Sequence, residues 1–475
     1  MRWDPAASSL DFTSLRRAYA KEETTPTEVV EAVYERIERY GDRNVWIHLA
    51  DKREALATAK RQESAGPIGL PLWGIPFSVK DCNDVPGMPT TNAFPPMKYV
   101  PTETGPAVQK LLDAGAICIG KVNMDQFGIG LVGTRSPYGE CSSVFDDRFI
   151  SGGSSSGSGV SVGAGLVSFS LANDAAGSGR VPASFNNVVG VKPTPGVVSN
   201  SAVSGGGVVK TIETIAFFAL TVEDGVELLK LAGGYDPQEP FSRKEAEHID
   251  YSSSSLAERF RFGVLRDKDL DFHGDSENAE GYADAIRVME SLGGTPVAID
   301  FAPFVEARDL LYEGPWIAER SLVMDGIVAK HADEIFPVTR QILSKASDFS
   351  AKDAFRAIHR IAELKRDVRR YWQDIDMLLV PTTPTTYTRQ AIAEDPIDLN
   401  TRLGTYTNFV NLMTMCGCAV PSGFRSNGTA YGMTILGDSF QDGKVLEAAR
   451  RYHLSRARSG LTLGATECAH PDVAH

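Results

Sequence analysis

The strongest constraint on this chain is an alternation. Short apolar runs ("LWGIPFSVKD", "AICIGK", "FRFGVL", "TPVAIDF", "DMLLVPTTP") interleave with stretches of helical period ("TPTEVVEAVYERIERYG", "GPAVQKLLDAG", "GYADAIRVMESLGG"). The runs are too short for buried helices and read as strands, while the intervening stretches carry one apolar stripe each. Strands and helices in turn can bury both patterns only as an α/β fold, a sheet covered by helices. Local chemistry agrees. Thr25, Pro26 and Glu28 form a capping-box start for the first of those helices, and Val29, Val33 and Ile37 share a face. Gly115 closes the second helix.

A chain of 475 residues has room for one large domain or for two to three ordinary ones. No fixed-period repeat and no long polar linker divides it, so a single domain is expected over residues 1–455. The expected exposed excursion is 235–256, and the last twenty residues (456–475) read as a poorly ordered tail. A formal charge of −13 argues against a nucleic-acid partner and disfavours an anionic membrane surface, since both need a basic face. No 18-residue apolar run is present, and "MRWDPAASSL" lacks the basic and apolar regions of a signal peptide. The cysteines at 82, 118, 141, 416, 418 and 468 show no zinc-like spacing, and the histidines form no ligand motif. The expectation is a reduced, cytoplasmic enzyme with no metal and no cofactor.

The run "ISGGSSSGSGVSVGAG" (150–165) admits four readings. It has the composition of a flexible linker, but apolar residues flank it and the core-like "VVGVKPTPGVVS" follows. A phosphate cradle would place a lysine after the glycines, and none is there. "GSSSG" matches a nucleophile elbow centred on Ser155, a pattern that is weak in so repetitive a run and needs an acid and a histidine downstream. The fourth reading is a hydroxyl relay, and it draws on two other segments. Lys80 ends an apolar strand beside Asp81 and Asn83, a place where lysine is rarely buried without a task, the plain alternative being an edge lysine reaching to water. Ser178 lies in the small-residue turn "NDAAGSGR", followed by Arg180 and Pro182.

Lys80, "GGSSSGS" and "AGSGR" together resemble the amidase signature family, and the resemblance continues through "GKVNMDQFGIG", "VPTTPTT" and "TNFVNLMTMCGCAVPSGF", over roughly residues 25–450. The ordered set is far more specific than any one motif. It implies a central mixed, twisted sheet with helices on both faces and a Ser–cis-Ser–Lys triad. Ser178 would be the nucleophile, Ser154 the bridging hydroxyl after a cis Gly153–Ser154 peptide, and Lys80 the base. The backbone N–H groups of Ala175, Ala176, Gly177 and Ser178 would form the oxyanion hole. Dimers are common in the family, so a homodimer is expected. Arg180 reads as a structural partner of Asp174 or another acid.

The chemistry explains the residue types. A serine hydroxyl is a poor nucleophile until a base takes its proton. A lysine is a base only when neutral, and at the ordinary pKa of about 10.4 roughly one in 2,500 is neutral at pH 7. A base lysine therefore has to be buried and hydrogen-bonded.

Within the family, "AGSGRVPA", "FNNVVGVKPT" and "LLYEGPWIAER" resemble allophanate hydrolases, which split a small ureido acid and release ammonia. This implies that Tyr312 and Arg320 contact substrate, Arg320 through the carboxylate. Eight residues apart, they could share one helix face, although a core aromatic and a surface charge are the plain alternatives. Two departures bear on the substrate. Family members usually carry a further C-terminal domain, which is not expected here. The stretch 199–218 is also unusual, with a glycine-rich insertion and Lys210, Thr211 and Glu213. Guanylurea, met by Glu313, and neutral biuret are the alternatives. Two other classes stand against these: the glutaminase subunit of an amidotransferase, disfavoured by the Gly-Ser-Gly-Arg form around Ser178, and a catalytically dead scaffold.

Overall fold

The computed structural model describes residues 3–201, 203 and 209–458. Eleven strands run β1 Trp46–Leu49, β2 Pro76–Lys80, β3 Ile117–Val122, β4 Phe169–Asp174, β5 Val189–Lys192 and β6 Thr214–Ala219, then β7 Phe260–Leu265, β8 Gly294–Ile299, β9 Met377–Pro381, β10 Cys416–Phe424 and β11 Ala430–Gly437. They form one sheet in the order β1-β3-β2-β4-β6-β5-β10-β11-β9-β7-β8. Two blocks are parallel, β3-β2-β4 and β9-β7-β8, and the pairs between and beside them are antiparallel. The sheet is thus mixed, as the resemblance implies.

Alternate residues of a strand face opposite sides, and in the inner strands such as β9 both sides are buried. In β9, Met377 and Leu379 belong to one apolar cluster while Leu378 and Val380 belong to another. The helix Asp442–Arg458 covers the first with Val445, Leu446, Ala449 and Tyr452, and the helix Ala302–Tyr312 covers the second with Phe304, Ala307 and Leu311. Each large side chain withdrawn from water in this way contributes about 1.5–3 kcal/mol before the cost of ordering it.

The local signals behave as read. The helix Pro26–Tyr40 opens on a capping box, the Glu28 N–H donating to Thr25 Oγ1 and the Thr25 N–H to the Glu28 carboxylate. Val29, Val33 and Ile37 are buried beneath it. Segment 235–256 lies largely on the surface, pinned by Ala246 and Leu256. The last helix reaches Arg458, three residues into the expected tail, and 459–475 lie outside the described residues.

What places the site is the pairing of β2 with β4. They are parallel neighbours in the register Phe77↔Phe169 and Val79↔Leu171, so the chain leaves both strands at the same edge. Loops at the carboxyl ends of such strands are where an open sheet builds its sites.

Candidate active site

Lys80 is the last residue of β2 and is 2% exposed. Its Nζ donates to Ser154 Oγ at 2.8 Å, and Ser154 Oγ donates to Ser178 Oγ at 2.8 Å. Three residues from three separate motifs thus stand in one hydrogen-bonded row, all buried. The Gly153–Ser154 peptide is cis.

The composition of the serine-rich run follows from this packing. Residues 150–163 are buried without a break, so the run is no linker. A Cβ on Gly153 would lie 2.0 Å from Asp125 Oδ2 and 2.6 Å from the Gly133 nitrogen, which only glycine avoids. Ser156–Gly163 then forms a helix, and Gly157 in it sits against the backbone of Asn123 and Val45. Ser155 precedes the helix and turns its hydroxyl to the Asn173 carbonyl at 3.3 Å, away from the row, which leaves the elbow reading without its nucleophile.

The turn after β4 carries Ser178. Asp174 ends the strand and accepts from Arg180 Nε at 2.9 Å and Nη2 at 3.0 Å, both side chains fully buried. Arg180 therefore holds the turn, as read. Burial pushes the Asp174 carboxyl up, but Arg180, Lys192 and the Gly179 N–H outweigh it and hold the group below the usual carboxylate range. The Arg180 and Val181 N–H groups donate to the Gly177 carbonyl, and Gly177 has φ +143°. None of these bonds uses the N–H groups of Ala175, Ala176, Gly177 or Ser178, the four expected to face a substrate oxygen.

Two positions in "GKVNMDQFGIG" escaped the sequence reading, where the motif carried only a resemblance. The Asp125 N–H donates to the Ser154 carbonyl at 2.9 Å, and its carboxylate accepts from the N–H groups of Val132, Gly133 and Arg135. Burial pushes this carboxyl up against the pull of Arg135 and those donors. Gly128 is the second. A Cβ there would lie 3.7 Å from Ser154 Oγ, so the chain passes the row directly. Their signal was an acid and glycines inside an apolar stretch. Beside Lys80, Asp81 Oδ2 takes Thr91 Oγ1 at 2.6 Å, and Lys121 donates to the Asp81 carbonyl at 3.1 Å, its ammonium pushed down by burial.

Tyr312 and Arg320 do come together, by a different route from the one expected. They do not share a helix: one helix ends at Tyr312, and Gly314–Pro315 separates it from the next, Trp316–Ser321. Proline disfavours helical geometry in the residue before it. The two helices fold so that the Arg320 guanidinium lies 5.0 Å from the centre of the Tyr312 ring. Arg320 is 1% exposed, and its Nε and Nη2 and the Tyr312 hydroxyl have no hydrogen-bond partner. Glu313, expected as the alternative cation contact, is exposed, and its N–H closes the helix on Asp309. In the stretch 199–218, residues 202 and 204–208 lie outside the described ones; Lys210 is exposed, and Thr211 meets Glu319.

The five cysteines at 82, 118, 141, 416 and 418 are free thiols, and Cys468 lies outside the described residues. Among the described residues no helix is long and apolar enough to cross a membrane, and no His, Cys, Asp and Glu side chains gather as a metal site.

The amidase family model matches residues 28–446. This chain belongs to the amidase family. The amidase is 39% identical over 415 residues to a urea amidolyase of Lachancea kluyveri, covering 86% of this chain and 22% of that protein. It therefore spans about a fifth of that relative's length. It is 31% identical over 489 residues to a glutamyl-tRNA(Gln) amidotransferase subunit of Lachnospira eligens, covering 95% and 99% of the two chains. Among solved structures, Kluyveromyces lactis allophanate hydrolase superposes with a TM-score of 0.86 at 35% identity, over 93% of this chain and 72% of that one.

Proposed function

We propose that this amidase-signature hydrolase cleaves a terminal C–N bond of a small ureido acid, allophanate above others, and releases ammonia through an acyl-enzyme on Ser178. The observation that carries the reading is the row Lys80–Ser154–Ser178 at 2.8 Å per step. With Lys80 neutral, the hydroxyls turn round: Ser178 donates to Ser154, and Ser154 to Nζ. Ser178 Oγ then attacks the carbonyl as its proton passes down the row. The turn at 175–178 offers N–H groups to the oxyanion. The proton returns to the leaving nitrogen, the C–N bond breaks, and ammonia departs. Water attacks the ester along the same row, freeing the acid and restoring Ser178.

Arg320 supports an acid substrate. A guanidinium buried with two N–H edges unpaired is costly, and a carboxylate supplies the forked acceptor it lacks. The same charge opposes guanylurea. Likeness to allophanate hydrolase points the same way, whereas likeness to the amidotransferase protein keeps a glutaminase as the competing outcome. A homodimer and a cytoplasmic setting belong to this reading, and sedimentation velocity tests the first.

The deciding experiment is ammonia release by the purified chain from allophanate, biuret, guanylurea and glutamine. Preference for allophanate, lost in Arg320→Ala, is expected. Preference for glutamine or guanylurea would overturn the substrate assignment and leave the relay standing.

A further inference from the structure

The stretch 199–218, read above as unusual for the family, also touches both parts of the candidate site. Within it, residues 209–213 reach both ways. On one side the Thr211 N–H donates to Glu319 Oε1 at 2.9 Å and Thr211 Oγ1 to Oε2 at 2.5 Å. Glu319 immediately precedes Arg320 on the helix Trp316–Ser321. On the other side Asn411 Nδ2 donates to the Ile212 carbonyl at 2.9 Å and to the Asp174 carbonyl at 2.7 Å, so one amide fastens the segment to the turn that presents Ser178. Between these anchors Val209 and Ile212 are buried in the apolar cluster that contains Ala176 and Leu311, against which Tyr312 and Trp316 also pack.

We propose that residues 209–213 act as a strap, and that the Thr211–Glu319 pair is a positioning device that sets Arg320 for the substrate carboxylate, given the reading above that Arg320 meets that carboxylate. Two physical effects follow from the clamp. It fixes the short helix of Arg320 relative to the turn of Ser178, and hence the span between the carboxylate end and the scissile carbonyl. It also holds both oxygens of Glu319 on Thr211, so that this carboxylate is not free to swing onto the neighbouring guanidinium and take the substrate's place. A charge-assisted bond of this kind is worth about one order of magnitude in affinity.

Steady-state kinetics of Thr211→Val, Glu319→Ala, the double variant and Thr211→Ser test this, with allophanate as the charged probe and biuret, as substrate or competitive inhibitor, as the neutral one. For either disrupting variant the KM for allophanate is expected to rise about tenfold, with kcat within about twofold and the constants for biuret unmoved. The double variant should be no worse than either single one, and Thr211→Ser should restore the KM. Equal losses on both probes, or no rescue by serine, overturn the strap. If Arg320→Ala raises the KM for allophanate selectively while Thr211→Val and Glu319→Ala do not, the strap fails and the substrate reading survives. If wild type does not turn over allophanate, the substrate reading fails and takes the strap's stated role with it.

Discussion

In the mechanism proposed above Ser154 has the most constrained task, because there it passes a proton in both directions between Lys80 and Ser178. A hydroxyl can accept and donate at once and reverse by rotating, which no methyl can imitate. Ser154→Ala is therefore expected to lower turnover by roughly 10²–10⁴ with the fold intact. If the three groups act as one unit, as proposed, Lys80→Ala added to Ser178→Ala should cost almost nothing beyond Ser178→Ala alone, a result that single-turnover assays of ammonia release would show. Asp174 is a second test at this scale. Asp174→Asn leaves the Arg180 guanidinium buried without its counter-charge, so a loss of about 3–5 kcal/mol in denaturant unfolding is expected, several times that of an exposed pair. Sequence alone picked out Lys80, Ser154 and Ser178, which the structure joins in one hydrogen-bonded row, because each sits in an ordered motif. It missed Asp125, whose work is done by a backbone N–H and by acceptor oxygens that no side-chain pattern reveals.

Among elements, those fixed by local chemistry were readable and those fixed by partners were not. Thr25, Pro26 and Glu28 announce a helix within four residues. Nothing near Cys416 announces that β10 lies in the middle of the sheet, because its neighbours β5 and β11 are set by long-range pairing. The gap between Tyr312 and Arg320 shows the same limit, since their spacing fits one helix and Pro315 makes two. The helix after Ser154 allows a sharp test. Gly157→Ala would bring a methyl to 2.6 Å from the Val45 carbonyl and the Asn123 nitrogen, both backbone atoms that cannot step aside. A loss of about 1–3 kcal/mol is expected in thermal unfolding, together with reduced turnover, because the displaced helix begins two residues after Ser154.

For the molecule as a whole, burial of charge shapes stability against pH. Lys192 is fully buried, its ammonium donating to the carbonyls of Pro193 and Met415, and burial lowers its pKa to about 8 against the pull of Asp174. Between about pH 8 and 10.5 the unfolded chain holds this proton more often than the folded one, so this group makes stability rise with pH across that window. Asp174 works in the opposite range. Its folded pKa is depressed, so its contribution is present above the unfolded value of 3.8 and is lost as pH falls through the folded one. Urea unfolding of wild type and Lys192→Met from pH 7.5 to 10 should show the alkaline rise in the first and a flatter profile in the second. The antiparallel ladder between β5 and β10 has a consequence in time as well. About 220 residues separate Lys192 from Cys416, roughly 10–45 s of translation at ordinary speeds. Through that interval the nascent chain carries the row of unpaired amides along β5 that would become the middle of the sheet, an edge open to any passing strand. Synthesis is therefore the stage at which the middle of this sheet is most open to wrong pairing.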